Sequence, residues 1–446
     1  NVATAPARAA VAQSATVRHT CGMPPRAPPP WTRAVLPFAG AYFLSYLFRT
    51  ANGVIGPVLR DELSLSASAI GLLTAAYFLA FGLAQLPLGV LLDRFGARRV
   101  ESALLLAAAA GAGVFAASPG VAGLAAGRAL VGLGVSSCFM GALKSFSWAY
   151  GPERQASLTG WIMTAGGLGA ITSSQPMELA LRFTGWRQIF GALAVATAVA
   201  SAWLFLRAPD EERAAAPERL SAQWRGVGTI FRSASFWRCV PLGVTFTGGF
   251  MAVQGLWASE WLLVVNGYGR DVMARHLTGM NVAMLCGYLA VGLVATSLAR
   301  RGIGTGHLVG AGAPAAIATL VLIVTEATPH TGVLWAALGA FTCSGTLLYP
   351  VNSRPFPVEL AGRASTALNV TVFVGAFAIQ WGMGAGIDAL RARGMGTADA
   401  HRAVFWALAV AQALAWAWFL ALARTTRAAE ARNAAARRDT RAEATG

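Results

Sequence analysis

Residues 89–99 read GVLLDRFGARR, two glycines, one Asp and three Arg within eleven positions. Long apolar stretches flank them, 69–90 before and 100–117 after. Each approaches the roughly 20 residues a helix needs to cross the ~30 Å hydrocarbon core of a bilayer. In that core the backbone must satisfy its own hydrogen bonds, so an apolar stretch of this length reads as a membrane-spanning helix. The eleven residues then form a short charged hinge on one membrane face.

The rest of the chain agrees. Of 446 residues, 56% are hydrophobic and only 12% charged, with a mean hydropathy of +0.55. A soluble chain carries about twice that charged fraction. The pattern predicts an all-α membrane protein with about twelve spans, near 34–59, 69–91, 100–118, 121–148, 157–180, 186–207, 237–263, 277–299, 306–326, 331–350, 364–390 and 402–423. With the N-terminus inside, the internal loops hold fourteen Arg and the external loops eight. Cations are retained on the cytoplasmic side, so both termini are expected inside, in a bacterial inner membrane. Basic loops facing anionic lipid explain the net charge of +16, and no nucleic-acid partner is needed.

Five cysteines, Cys21, Cys138, Cys239, Cys286 and Cys343, lack CxxC spacing and suggest neither a zinc site nor a disulfide framework. The Ala- and Pro-rich segment 1–31 is expected to be disordered, with the natural start near Met23. A linker at 208–236 divides the spans into a bundle at 34–207 and another at 237–423, and a basic tail follows at 424–446. PERQAS at 152–157 resembles PVELAGRAS at 357–365, and the RxxF of Arg187 and Phe190 returns at Arg402 and Phe405. These echoes predict two pseudo-symmetric six-helix bundles.

At this point the chain resembles the major facilitator superfamily of secondary transporters. GVLLDRFGARR is similar to that family's loop signature between spans two and three, with Ala97 at one usually basic position. LAAGRALVGLG at 124–134 resembles its fourth-span signature around an Arg, here Arg128, and GWRQIF at 185–190 a common opening of span six. LARRGIGTG at 298–306 is a worn second copy of the loop, without the Asp. The resemblance implies solute transport by alternating access between two lobes. Gly89, Asp93, Arg94, Gly96, Arg98 and Arg99 are then read as a conformational gate. Gly89 would allow close helix approach, Gly96 a tight turn, and Asp93, when the inner side is closed, a pairing with an arginine or a helix N-terminus. The resemblance gives Arg128 a conformational role, in helix packing or proton handling.

Span one carries a polar and small stripe of Tyr42, Ser45, Tyr46, Arg49, Asn52, Gly53 and Gly56 at helical spacing. Arg49 lies about 22 Å along it at 1.5 Å per residue, near mid-depth. An Arg there costs roughly 2.5–3.5 kcal/mol on insertion scales, so it should face a wet or polar interior. No carboxylate falls at mid-depth; Glu178, Glu260, Glu326 and Asp388 sit near external ends. A central cation without a central anion favours a small anionic solute. Tyr46, Arg49 and Asn52 are the first-half candidates for substrate contact, with Lys144, the one lysine in the chain. In the second half Thr247, Met251, Gln254, Ala258 and Trp261 form a stripe with Trp257 nearby, and Asn369 and Gln380 share a face of span eleven. Gln254, Trp257, Asn369 and Gln380 are the candidates there.

An unpaired cation in an emptied cavity resists reorientation, which favours anion exchange; proton coupling is the other expectation. A Cu(I) importer using His276, Met280 and Met284 is an alternative, since their spacings of four resemble the copper-importing branch of the superfamily. A non-transporting membrane sensor is another, although no segment is large enough for an output domain. TAGGLGA at 164–170 lacks the Asn of nitrate porters, and a GPxxGG-like drug-antiporter element is missing. Nothing points to an enzyme or a resident cofactor, and a monomer in the bilayer is expected.

Overall fold

The computed structural model describes residues 31–209, 228–301 and 305–423. Most of the segment expected to be disordered, most of the linker, the basic tail, Cys21, Met23 and part of the 298–306 loop lie outside the described residues.

Twelve spans form, and we number them α1–α12. The first, α1, is split into Leu36–Thr50 and Asn52–Leu63. Then come α2 (Ala67–Phe95), α3 (Ala97–Ala117), α4 (Val121–Ala149), α5 (Pro152–Thr172 continued by Gln175–Leu181) and α6 (Trp186–Arg207). The second lobe has α7 (Ala234–Val264), α8 (Arg270–Arg300), α9 (Thr305–Val324), α10 (Thr331–Ser353), α11 (Val358–Ala392) and α12 (Thr397–Ala421). Ten of these are long and apolar enough to span a membrane unaided. The other two, α1 and α5, are interrupted and carry polar groups, Asn52 and Arg49 in one, Glu153 and Arg154 in the other. Packing against neighbours must supply what their composition does not.

Local chemistry sets the breaks. α1 stops at Ser64, whose φ of 51° is left-handed, and Ser66 caps α2 by accepting from the Ala69 N–H. Gly96 turns α2 into α3 at φ 79°, the conformation expected of it from the sequence. Gly132, in the fourth-span signature, lies so close to α2 that a Cβ there would collide with the Tyr77 carbonyl. Its small size is therefore what lets α4 pack on α2.

Within lobes, α3 packs on α4 and α6, and α8 on α10. Between lobes, α2 lies along α11, α5 against α8, and the second piece of α1 against α7. α7 widens into π-helix twice, at Gly243–Gly248 and, where it meets the second piece of α1, at Val253–Trp257. Such local widening re-aims side chains and is concentrated at functional sites.

Candidate functional site

A cavity of about 400 Å³ lies between the lobes. The first lobe lines it with Tyr42, Ser45, Tyr46, Arg49, Phe81 and Gln85, among others, and the second with Thr247, Met251, Tyr288, Tyr349, Asn369 and Phe373. Most of these belong to the halves of their helices nearer the chain termini.

Arg49 sits at the inner end of this cavity. It is 7% exposed, with its guanidinium carbon 4.5 Å from the Tyr46 ring centroid, 5.2 Å from Phe81 and 5.4 Å from Phe373. Phe81 and Phe373 come from opposite lobes and stack at 4.2 Å and 18°. Ring faces attract the cation by about 0.5–2 kcal/mol each and hold it without neutralising it. Its Nε has no hydrogen-bond partner among the described residues. No Asp or Glu lines the cavity.

Arg128 is buried completely, and its Nη1 donates to the Phe48 carbonyl at 2.7 Å, with its guanidinium over the Tyr77 ring. It thus ties α4 to the residue preceding Arg49, a packing arrangement.

Other expected contacts fall elsewhere. Lys144 is outside the cavity lining and donates to Asp93 at 2.6 Å. Asp93 therefore pairs with a lysine of its own lobe in this form. Gly89 has no atom within 4 Å of where a Cβ would stand, so it makes no close helix approach here. Arg94 lies over the Phe95 ring and Arg98 over Phe205. Asn52 donates to Thr74 and is fully buried, because the break in α1 turns it toward α2. Asn369 lines the cavity, where it accepts from Tyr349. Gln380 shares its stripe but lies about 16 Å further along α11 at 1.5 Å per residue. There it is buried against Trp257, which donates to it. Gln254 lines a small adjoining cavity of about 30 Å³, its amide donating to Asn281 and to the Met284 sulfur.

Of the residues of the copper alternative, His276 has Nδ1 bonded to the Val272 carbonyl and Nε2 to the Thr331 hydroxyl, and the Met284 sulfur accepts from Gln254. Met280 is buried in the core.

Sequence reasoning missed Phe81, Phe373, Tyr288 and Tyr349, since aromatic residues in apolar spans look like ordinary filler. It also missed Asn281, whose amide donates to the Ala170 carbonyl and Ser174 hydroxyl across the lobes.

On the face away from the termini, ionic and hydrogen-bonding contacts cross between lobes. Arg60 pairs with the buried Glu260, Arg182 with Asp271, and Arg270 with Glu178. Asp388 of α11 accepts from the Ala67 and Ser68 N–H groups at the start of α2. Within the first lobe on this face, Glu62 accepts from Arg187 and Trp186.

Comparison with known proteins agrees with this architecture. The model of the Major Facilitator Superfamily matches residues 38–380. The hexuronate transporter of Escherichia coli is 29% identical over 214 residues, 44% of this chain and 49% of that protein. The "Probable sulfoacetate transporter SauU" of Cupriavidus necator is 26% identical over 177 residues, 38% of this chain and 40% of that one. The chain thus matches less than half the length of these two relatives. A bacterial homolog of the human lysosomal transporter Spinster, in an inward-facing and unoccupied conformation, superposes with a TM-score of 0.70 at 17% identity, covering 89% of this chain and 98% of that one.

Proposed function

The chain belongs to the major facilitator superfamily, an integral multi-pass membrane transporter, and on that premise we propose that it moves a small anionic organic solute by alternating access. The observation that carries the reading is a guanidinium at the inner end of an inter-lobe cavity that no carboxylate lines. The names of the relatives, hexuronate and sulfoacetate transporters, point to anions as well.

The geometry gives the sequence of events. An anion entering from the termini face pairs with Arg49, whose fork suits a carboxylate in two parallel hydrogen bonds. The pair is closer to neutral than the bare cation, so enclosing it costs less desolvation. Closure then brings the lobes together around Asn369, Thr247 and Tyr46, while the Arg60–Glu260 and Arg270–Glu178 pairs separate on the far face. The loop at 89–99, with Asp93 and Lys144, forms the gate on the termini face. Both termini are on the cytoplasmic side of a bacterial inner membrane, the working unit is one chain, and the form described is open inward.

An empty cavity leaves Arg49 unneutralised, so return without a ligand is slow and transport is anion exchange. Purified protein in liposomes tests this: uptake of an organic anion should rise severalfold when the lumen holds an anion. Equal uptake with an empty lumen, driven by an imposed pH gradient, would instead assign proton coupling.

A further inference from the structure

We infer that the solute is a monocarboxylate with an apolar, preferably aromatic, body and not a polyhydroxylated sugar acid; this rests on the anion reading above.

The inference follows from which polar groups of the cavity are already in use. Gln85 donates to the Ser136 carbonyl, Ser136 to Leu133, and Thr346 to Cys343. Tyr349 donates to Asn369, and the Ser365 hydroxyl bonds to that of Ser353. The hydroxyls of Tyr42 and Tyr288 each interact with that of Tyr46. Three buried lining atoms have no partner among the described residues: Arg49 Nε, Ser45 Oγ and Thr247 Oγ1. Arg49 and Ser45 are 7% and 1% exposed, and Thr247 reaches in from the opposite lobe.

Arg49 also bonds the Tyr77 hydroxyl, and one carboxylate seated on the rest of its guanidinium, with Ser45 and Thr247 in the same wall, is the ligand group that suits these atoms. Its two oxygens offer about four acceptor positions, enough for the Arg49 fork and both hydroxyls. Most of the remaining wall is carbon and sulfur, from Phe81, Phe139, Phe373, Met140, Met163 and Met251, with the Asn369 amide nitrogen and the Gln85 amide oxygen as polar atoms that have no hydrogen-bond partner among the described residues. Rings and thioethers pack favourably on an aryl group. A hexuronate would bring several further hydroxyls into this wall, and each one left without a partner is penalised on desolvation.

The test is a melting measurement on the detergent-purified full chain with benzoate, phenylacetate, galacturonate, sulfoacetate and the neutral benzamide. At about 10 mM the two aryl acids should raise the midpoint by about 2 °C or more, with the other three well below that. Arg49→Gln should remove the benzoate shift and Thr247→Val should reduce it severalfold, so the second variant carries the test if the first does not melt cooperatively. A galacturonate or sulfoacetate shift as large as that of benzoate overturns the apolar body and leaves the anion reading standing. A benzamide shift equal to benzoate, or a benzoate shift that survives both substitutions, overturns the anion reading and this inference with it. No shift from either aryl acid, with the transition intact, overturns the inference alone.

Discussion

The two faces of the inter-lobe cleft are held differently. Away from the termini, Arg60–Glu260, Arg182–Asp271 and Arg270–Glu178 join one lobe to the other, and the Asp388 carboxylate sits on the start of α2. On the termini face, Lys144–Asp93 lies inside the first lobe and leaves the second untouched. An ion pair fixes the distance between the bodies it connects, so the first set closes one face while the second is indifferent to closure of the other. Arg49 lies between them and lines the inter-lobe cavity. In the reading proposed above, conformation follows from where the charge pairs lie and ligand binding from Arg49, the cation that lines the cavity with no acid in its wall.

Removing that cation should have the largest effect. Arg49→Gln loses a charge-assisted pair of about 1.5–3 kcal/mol, roughly 10- to 100-fold in affinity for a transported anion by calorimetry, with the far-face pairs intact. Glu260→Gln attacks the closed face directly, leaving Arg60 without its buried counter-charge. Pulsed spin-label distances between Phe183 and Met395, one in each lobe, should gain a longer component, equivalent to a shift of about 1–3 kcal/mol. Asp388→Asn should do the same more weakly, by about 0.3–1 kcal/mol, since it weakens an interaction with a helix N-terminus.

Lys144→Gln tests the other side of the contrast. Its partner Asp93 is 62% exposed, so melting should change by less than about 1 kcal/mol, and the Phe183–Met395 distance should not move.

Much of the fold was legible because the bilayer imposes one length and one composition on every span. The turn at Gly96 followed from glycine placement. Arg49 was legible for an energetic reason, since a mid-depth cation demands a polar surrounding. Its neighbours were harder. Phe81 and Phe373 are indistinguishable in sequence from core filler, and only the antiparallel packing of α2 on α11 brings them over the guanidinium. Gln380 and Trp257 show the converse: polar residues on a helix face were read as ligand contacts, and the second lobe bonds them to each other. Lys144 was misplaced because spacing along α4 gives its direction and depth but not the Asp93 that α2 presents to it.

Whether Arg49 is an uncompensated cation accessible from the termini face can be tested without knowing the solute. Thr247→Cys, labelled from that face with anionic and cationic thiosulfonates of matched size and corrected for native cysteines, should react about tenfold faster with the anionic reagent. Adding Arg49→Gln should abolish the preference. Equal rates for the two reagents, or a preference unchanged by Arg49→Gln, would contradict the account.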